Sequence, residues 1–435
     1  MSREHARVIT AARNFLAIAC TGAIAIVRRV KKTKKRILLL STRRYLAGFL
    51  AFTALTAASI SSSTAAETSI KIGNTAPYSG PASAYGTIAR AEEAYFQMLN
   101  DQGGINGRKI EFESLDDAYS PSKTVEQTRK LVEQDEVLAI FSAVGTAPNI
   151  SVQKYLNIKH VPQLFVSSGA TRWNDPKHFP WTVGFNPTYE LEGRLYAKYI
   201  LNTKPDAKIA VITPNEDAGK DYLKGFKEGL GEHAGQIVSE TTYLTTDPTI
   251  DSQMVTMRES GADVFFAEAT PKFAAMALRK AVSMGWKPLT ILPSVSNSVS
   301  AVLEPAGLEN VVGVVTGLYL KDPSDARWAD DAGQKEFLAW MKKYQPNANL
   351  GDLLNVQGYT AAQAMVAVLK ASNGDYSREN IIKQASNLNG LELPMLLPGI
   401  KITTEPNNVT PIRQIQMARF DGKSWMLFGD VLSDK

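Results

Sequence analysis

Residues 208–230 read KIAVITPNEDAGKDYLKGFKEGL, and this stretch decides the class of fold. Its first six residues are mostly apolar or β-branched, which is typical of a strand that is buried on both faces. A short polar loop follows, and residues 219–230 have a helical pattern. A buried strand joined to a helix by a short loop is the repeating unit of a parallel sheet with helices on both of its faces.

The same unit recurs upstream and downstream of this stretch. The upstream series has predicted strands at 70–73, 109–115, 137–143 and 163–167, with helices at 84–100, 121–134 and 148–156. The downstream series has further predicted strands at 238–244, 263–267 and 289–292, with helices at 252–260 and 271–284. The sequence therefore predicts an α/β protein with two doubly wound, mainly parallel sheets and right-handed connections.

The C-terminal third has a different pattern. Two long helices are predicted at 326–343 and 353–372, and a shorter one near 379–386. Two final strands, at 413–420 and 425–428, flank Asp421-Gly422, which is a good hairpin turn.

The N-terminal 66 residues differ in charge from the rest of the chain. They contain 12 Lys and Arg side chains and one acid, whereas the remaining 369 residues contain 36 basic and 42 acidic side chains. Residues 45–60 form an apolar run between a basic segment and small residues that suit a cleavage site near Ala66, as in a secretory signal peptide. A retained membrane anchor is the alternative. We expect a secreted, periplasmic mature chain, and its acidic body argues against a nucleic-acid partner.

Few residues are available for metal or covalent chemistry. The single cysteine, Cys20, lies in the leader, and only three histidines follow it. The chain lacks the usual nucleophile, zinc and nucleotide-binding motifs. We therefore expect no enzyme activity, no catalytic residues, no metal and no cofactor. Because ligands of open parallel sheets bind beyond the carboxyl ends of the strands, two such lobes predict a ligand cleft between them.

Several segments resemble the periplasmic solute-binding proteins of branched-chain amino-acid type ABC transporters, the leucine/isoleucine/valine-binding protein family. The matching residues are 77–81 with Tyr85-Gly86, the G-G-I-N-G-R turn within 100–108, Asp116-Asp117 with Pro121, 167–171, and 358–361. The resemblance implies the type I periplasmic binding fold, in which two lobes joined by three crossings close on a ligand. It implies a first lobe of residues 67–187 with 317–399, and a second of residues 188–316 with 400–435.

The resemblance also implies a carboxylate site in the first lobe. Hydroxyl and backbone N–H groups of two loops would hold the ligand there, and helix N-termini favour an anion. Simple helix capping is the alternative role of the threonines. The residues expected to bind ligand are Tyr85, Gly145, Thr146, Ala147, Ser168, Gly169, Thr171, Phe185, Asp217, Glu268, Thr270 and Ser294. Tyr85 matches an aromatic lid position, and Phe185 is either an apolar wall or ordinary packing.

The second lobe departs from the amino-acid binders of the family. The tyrosine that holds the ligand ammonium falls near Ala269-Thr270, and the acid falls near residues 294–296, which contain no carboxylate. An unpaired ammonium in a closed cleft is costly. We therefore expect an aromatic or branched aliphatic organic acid, delivered by a monomeric protein to an inner-membrane ABC permease. Binding of a branched-chain or other amino acid, or ligand sensing for a receptor, is the alternative.

Overall fold

The structure, a computed structural model, describes residues 69–433. The predicted leader lies outside the described residues. The strands are β1 (Ile70–Ala76), β2 (Ile110–Asp116), β3 (Ala139–Phe141), β4 (Gln163–Val166), β5 (Thr182–Gly184), β6 (Ile209–Pro214), β7 (Ile237–Tyr243), β8 (Val264–Ala267), β9 (Leu289–Ile291), β10 (Val315–Leu318), β11 (Gln414–Phe420) and β12 (Trp425–Ser433).

Helices alternate with most of these strands. They are α1 (Gly86–Asp101), α2 (Pro121–Glu133), α3 (Thr146–Ile158), α4 (Tyr189–Thr203), α5 (Asp217–Leu230), α6 (Asp251–Glu259), α7 (Pro271–Ser283), α8 (Ala332–Tyr344), α9 (Leu353–Ala371) and α10 (Arg378–Ala385). Among residues 69–433, no helix combines the length and apolar character needed to cross a membrane.

The strands form two sheets, as predicted. The first sheet has the order β2-β1-β3-β4-β5, and all of its pairs are parallel. The second has the order β12-β11-β10-β9-β8-β6-β7 and is parallel from β10 to β7, with β11 and β12 added antiparallel at one edge. This arrangement confirms the α/β class with two mainly parallel lobes.

The chain crosses between the lobes three times. After β5, α4 packs on α5 of the second lobe. After β10, the chain returns to the first lobe, where Trp340 of α8 and Tyr359 of α9 pack against Tyr95 of α1. It then returns to the second sheet at β11, beside β10. The predicted lobe boundaries stay predictions at the level of single residues, and residue 317 lies within β10.

Some elements differ from the sequence prediction. The helix expected at 326–343 begins only at Ala332, because the Asp331 side chain caps it by accepting a hydrogen bond from the Gln334 N–H at 2.9 Å. β12 extends to Ser433, five residues beyond the predicted strand. The helix α4 had no predicted counterpart. The short strands β5 and β10 had none either, because three or four residues form too short a run to identify a strand.

The contact between α1 and α9 depends on a glycine. The α9 helix is buried on nearly every side, and its Gly358 lies against the α1 backbone. A Cβ atom at this position would overlap the Ile88 carbonyl oxygen and lie 2.8 Å from the Ala91 Cβ. The two helices can therefore approach closely only because residue 358 has no side chain.

Gly358→Ala tests this contact. Because the added methyl group meets backbone that cannot give way, we expect the substitution to lower the free energy of unfolding by about 1–3 kcal/mol. Gly235→Ala is the matched control, since nothing lies within 4 Å of a Cβ at Gly235. Urea unfolding of residues 67–435 measures both variants, and equal stabilities would contradict the packing described here.

Candidate functional site

The carboxyl ends of the strands in both sheets face each other across a cleft between the lobes. The residues that meet there, called the cleft cluster below, are Tyr85, Tyr119, Thr146, Ser168, Tyr189, Glu216, Tyr222, Tyr243, Glu268, Thr270 and Ser296. Every member except Glu216 is less than a tenth exposed to solvent. The lobes are therefore closed on each other in this structure.

Hydroxyl groups form the first-lobe side of the cleft. The Thr146 Oγ1 lies 2.7 Å from the Ser168 Oγ. The Ser168 Oγ also accepts hydrogen bonds from the Ala170 N–H at 3.2 Å and the Trp173 Nε1–H at 3.0 Å. Since two N–H groups donate to Ser168, its own proton is available to donate. If that proton goes to Thr146, the Thr146 proton is in turn available to an anion.

Gly145 shapes this side of the cleft. Its φ angle of +98° is one that favours glycine, and it immediately precedes Thr146 at the start of α3. A Cβ atom at Gly145 would overlap the ring of Tyr119, so the glycine also makes room for that tyrosine. Ala147, the second residue of α3, is half-buried.

Contacts between the lobes close the rim of the cleft. The Tyr119 hydroxyl donates to Glu216 Oε1 at 3.1 Å. The Thr171 N–H donates to Asp221 Oδ2 at 2.7 Å. The N–H expected to hold a ligand carboxylate is thus bonded to a second-lobe carboxylate instead.

Two further pairs join the lobes. Arg172 forms an ion pair with Asp217 at 3.5 Å, which puts Asp217 at the rim of the cleft. The Ser300 hydroxyl donates to Asp352 Oδ2 at 3.2 Å, at the start of α9. Together with the Tyr119 and Thr171 contacts, these pairs join the two lobes at the rim of the cleft.

Tyrosine and carboxyl groups form the second-lobe side. Tyr243 accepts a hydrogen bond from the Thr270 N–H at 2.9 Å, and its ring lies 4.3 Å from that of Phe273. Thr270 Oγ1 and Glu268 Oε2 are buried, and neither has a hydrogen-bond partner among the described residues. Glu268 therefore has an oxygen available to a ligand group.

Burial controls the charge state of the cleft acids. It raises the pKa of Glu268 well above its ordinary value, and the charges of Glu216 and Glu192 raise it further. Burial raises the pKa of Glu216 to about 7. The hydrogen bond from Tyr119 lowers this pKa, and the Asp217 charge raises it. Within the described residues, no Lys, Arg or His side chain belongs to the cleft cluster to offset these acids.

Ser294 contacts a carboxylate from a distant part of the sequence. Its N–H and its hydroxyl donate to the two oxygens of Glu192, at 3.0 and 2.7 Å. Glu192 belongs to α4 and is fully buried, and it also accepts a hydrogen bond from the Tyr196 hydroxyl. A carboxylate thus lies beside residues 294–296, contributed by a helix 102 residues earlier in the chain.

The structure brings most, but not all, of the expected residues together. Phe185 is fully buried in the first-lobe core, with its ring 5.8 Å from that of Phe165, and this contact favours ordinary packing. The residues of the cluster that were not among those expected to bind ligand are Tyr119, Tyr189, Glu216, Tyr222, Tyr243 and Ser296. Tyr119, Glu216 and Ser296 follow three or four residues after a predicted strand, which is the signal that could have identified them.

Known proteins share this architecture. A branched-chain amino acid ABC transporter protein from Thermus thermophilus, solved with bound valine, aligns with a TM-score of 0.76 at 16% identity, covering 85% of this chain and 97% of that one. A solute-binding protein of an ABC transporter from R. palustris, solved with benzoate, aligns with a TM-score of 0.71 at 22% identity, covering 85% and 98%. A Leu/Ile/Val-binding protein homolog 8 from Brucella abortus is 25% identical over 343 residues, covering 76% of this chain and 82% of the relative.

A family model described as "Periplasmic binding protein" matches residues 69–424, which include the first sheet, every strand of the second sheet except β12, and the whole cleft cluster. This match agrees with the motifs that carry the sequence resemblance and with the two parallel-sheet lobes. The chain belongs to the periplasmic binding protein family.

Proposed function

We propose that this protein is the extracytoplasmic solute-binding component of an ABC importer and captures a small carboxylate in the interlobe cleft. The observation that carries the proposal is the position of the Thr146 and Ser168 hydroxyl pair. It lies in one largely buried cleft with tyrosine and carboxyl groups of the other lobe. Such a cleft suits one small molecule with a polar end. The proposal includes no catalytic step.

An aromatic or branched aliphatic organic acid is the ligand class that we favour. The rings of Tyr85, Tyr119, Tyr189, Tyr222 and Tyr243 provide a large, rigid apolar surface for such a ligand. Burial raises the pKa of Glu268 well above its ordinary value, which favours the neutral carboxyl group and lessens its repulsion of an anion. The benzoate-bound R. palustris neighbour supports the same class.

An amino acid is the second candidate, and a specific observation favours it. Glu268 Oε2 lies in the cleft with no partner among the described residues, and an ammonium group would restore its charge. The valine-bound T. thermophilus neighbour and the Brucella relative support this candidate. The two classes differ in the charge that Glu268 has to carry.

Closure of the lobes links binding to transport. A ligand that contacts both lobes stabilises the closed form by its difference in affinity for the two forms. We propose that the closed, monomeric protein then delivers the ligand to an inner-membrane permease from the periplasm. Delivery to a receptor would use the same cleft, and copurification with a permease would distinguish the two.

A thermal-shift screen tests the proposed function. Residues 67–435 would be unfolded, refolded to remove any ligand, and mixed with benzoates, 2-oxo acids or branched-chain amino acids. A ligand at a hundred times its Kd should add about 2.7 kcal/mol of stability, which is a shift of at least about 2 °C. Thr146→Val should reduce the shift, whereas the exposed Thr256→Val should not. If no carboxylate shifts the wild-type protein, the proposal is wrong.

Glu268→Gln distinguishes the two ligand classes. For an organic acid, we expect the Kd to change by less than about threefold, because burial already favours the neutral form of this carboxyl group and the amide is also neutral. For an amino acid, loss of a carboxylate that can pair with the ammonium should weaken binding by about tenfold or more. Calorimetric titration of benzoate and valine measures both. Strong valine binding that this substitution abolishes would contradict the organic-acid assignment.

The pKa of Glu216 predicts a pH dependence. Closure raises this pKa from an ordinary 4.5 to about 7, so the closed form binds a proton that the open form releases. The closed form is therefore favoured at low pH, and this advantage is lost as the pH rises through 7. We expect affinity to fall several-fold, at most about tenfold, between pH 6 and pH 8, because the side chain is only half-buried.

Glu216→Gln should flatten this profile. Tyr119 contacts Glu216, and Asp217 lies beside it. Burial also raises the pKa of Glu268, so the Glu268→Gln variant is measured in parallel. An unchanged slope in Glu216→Gln would show that a different group binds the proton.

A further inference from the structure

Tyr189 enters the first-lobe site from the other lobe. It is the first residue of α4, after the Thr188 cap whose hydroxyl accepts from the Leu191 N–H at 3.3 Å. α4 packs on α5 of the second lobe, where Gly225 lies against the Glu190 backbone. The Tyr189 side chain is 5% exposed, and the Tyr189 N–H donates to the Gly169 carbonyl at 2.8 Å.

The Tyr189 ring has two close protein contacts. One face stacks on Tyr222, with ring centroids 4.3 Å apart and an angle of 20° between the planes. The ring also lies against Gly169, where a Cβ atom would be only 2.6 Å from the Tyr189 Cδ1 and Cε1 atoms. The ring is therefore held in one position, and any side chain at residue 169 would displace it.

This position brings the Tyr189 hydroxyl to the groups that were expected to bind a carboxylate. The Tyr189 ring lies against Gly169, the residue after Ser168, and the Ser168 and Thr146 hydroxyls are 2.7 Å apart. Burial raises the pKa of Tyr189, and the neighbouring Gly169 backbone and Ser168 and Thr146 hydroxyls oppose that rise. The Tyr189 side chain therefore lies beside this pair of hydroxyls.

We propose that the Tyr189 hydroxyl is a direct member of the carboxylate site and donates a hydrogen bond to the ligand anion beside Thr146 and Ser168. This assignment rests on the function proposed above. Because Tyr189 is carried by α4, a single carboxylate contacts donors of both lobes, and binding at this point ties the lobes together.

The donor set also sets specificity. A carboxylate has two acceptor oxygens, whereas the matching amide replaces one of them with an NH₂ group. An NH₂ group facing these donors leaves buried polar groups unpaired, which is strongly unfavourable. We therefore expect Tyr189 to contribute to the selection of carboxylates over amides of the same shape.

Tyr189→Phe tests the assignment, because it removes the hydroxyl and keeps the ring against Tyr222 and Gly169. Tyr199→Phe is the matched control: it removes a hydroxyl from the same helix α4, outside the cleft cluster, where that hydroxyl accepts a hydrogen bond from Arg419 at 3.0 Å. Isothermal titration would compare benzoate with benzamide, and valine with valinamide, in the wild-type protein and both variants. The melting temperature of each ligand-free variant checks that the fold is retained.

For Tyr189→Phe, we expect carboxylate affinity to fall by about tenfold or more and the preference over the amide to shrink. Tyr199→Phe should stay within about threefold of wild type. Combining Tyr189→Phe with Thr146→Val should cost less than the sum of the single losses, since both hydroxyls contact one anion.

Three results would overturn the assignment. Wild-type affinity in Tyr189→Phe would leave the proposed function intact and remove Tyr189 from the site. Equal losses in both phenylalanine variants would mean that a change in α4, rather than loss of the Tyr189 hydroxyl, lowers the affinity. Failure of the wild-type protein to bind any carboxylate would refute the proposed function, and this assignment with it.

Discussion

Parallel strands end together at one edge of their sheet, and this constraint locates the whole cleft cluster. Tyr85, Thr146 and Ser168 follow strands of the first sheet, and Glu216 and Glu268 follow strands of the second. Helices begin close to these strand ends, so polar groups and helix N-termini are gathered in one place. Because the chain crosses three times between the sheets, the two edges face each other across one cleft.

The two sides of that cleft are chemically different. The first-lobe side presents hydroxyl donors held by backbone and indole N–H groups, as at Ser168. The second-lobe side presents tyrosines and carboxyl groups, and closure removes these carboxyl groups from water. A carboxyl group buried without a cation is stable only when protonated, which is why the pKa values of Glu268 and Glu216 rise. This asymmetry orients a ligand that has an anionic end.

Close backbone approaches make this geometry possible. Gly145 leaves room for Tyr119, and Gly169 leaves room for Tyr189. In both pairs, a glycine of a first-lobe loop allows an aromatic ring to lie directly on the loop backbone. Tyr119 then reaches Glu216 across the cleft, and Tyr189 lies against the loop that carries Ser168. Lobe closure and the shape of the anion site therefore depend on the same loops.

The sequence by itself determined the two strand–helix series, the parallel sheets and the loops that carry the first-lobe hydroxyls. These features depend on local patterns of apolar residues and on the residues that begin and end helices. Only the tertiary structure decided which distant side chains meet. Glu192 contacts Ser294 from 102 residues away, Asp221 takes the Thr171 N–H, and Phe185 turns into the core. Side-chain direction after a strand depends on packing between elements, which no local pattern records.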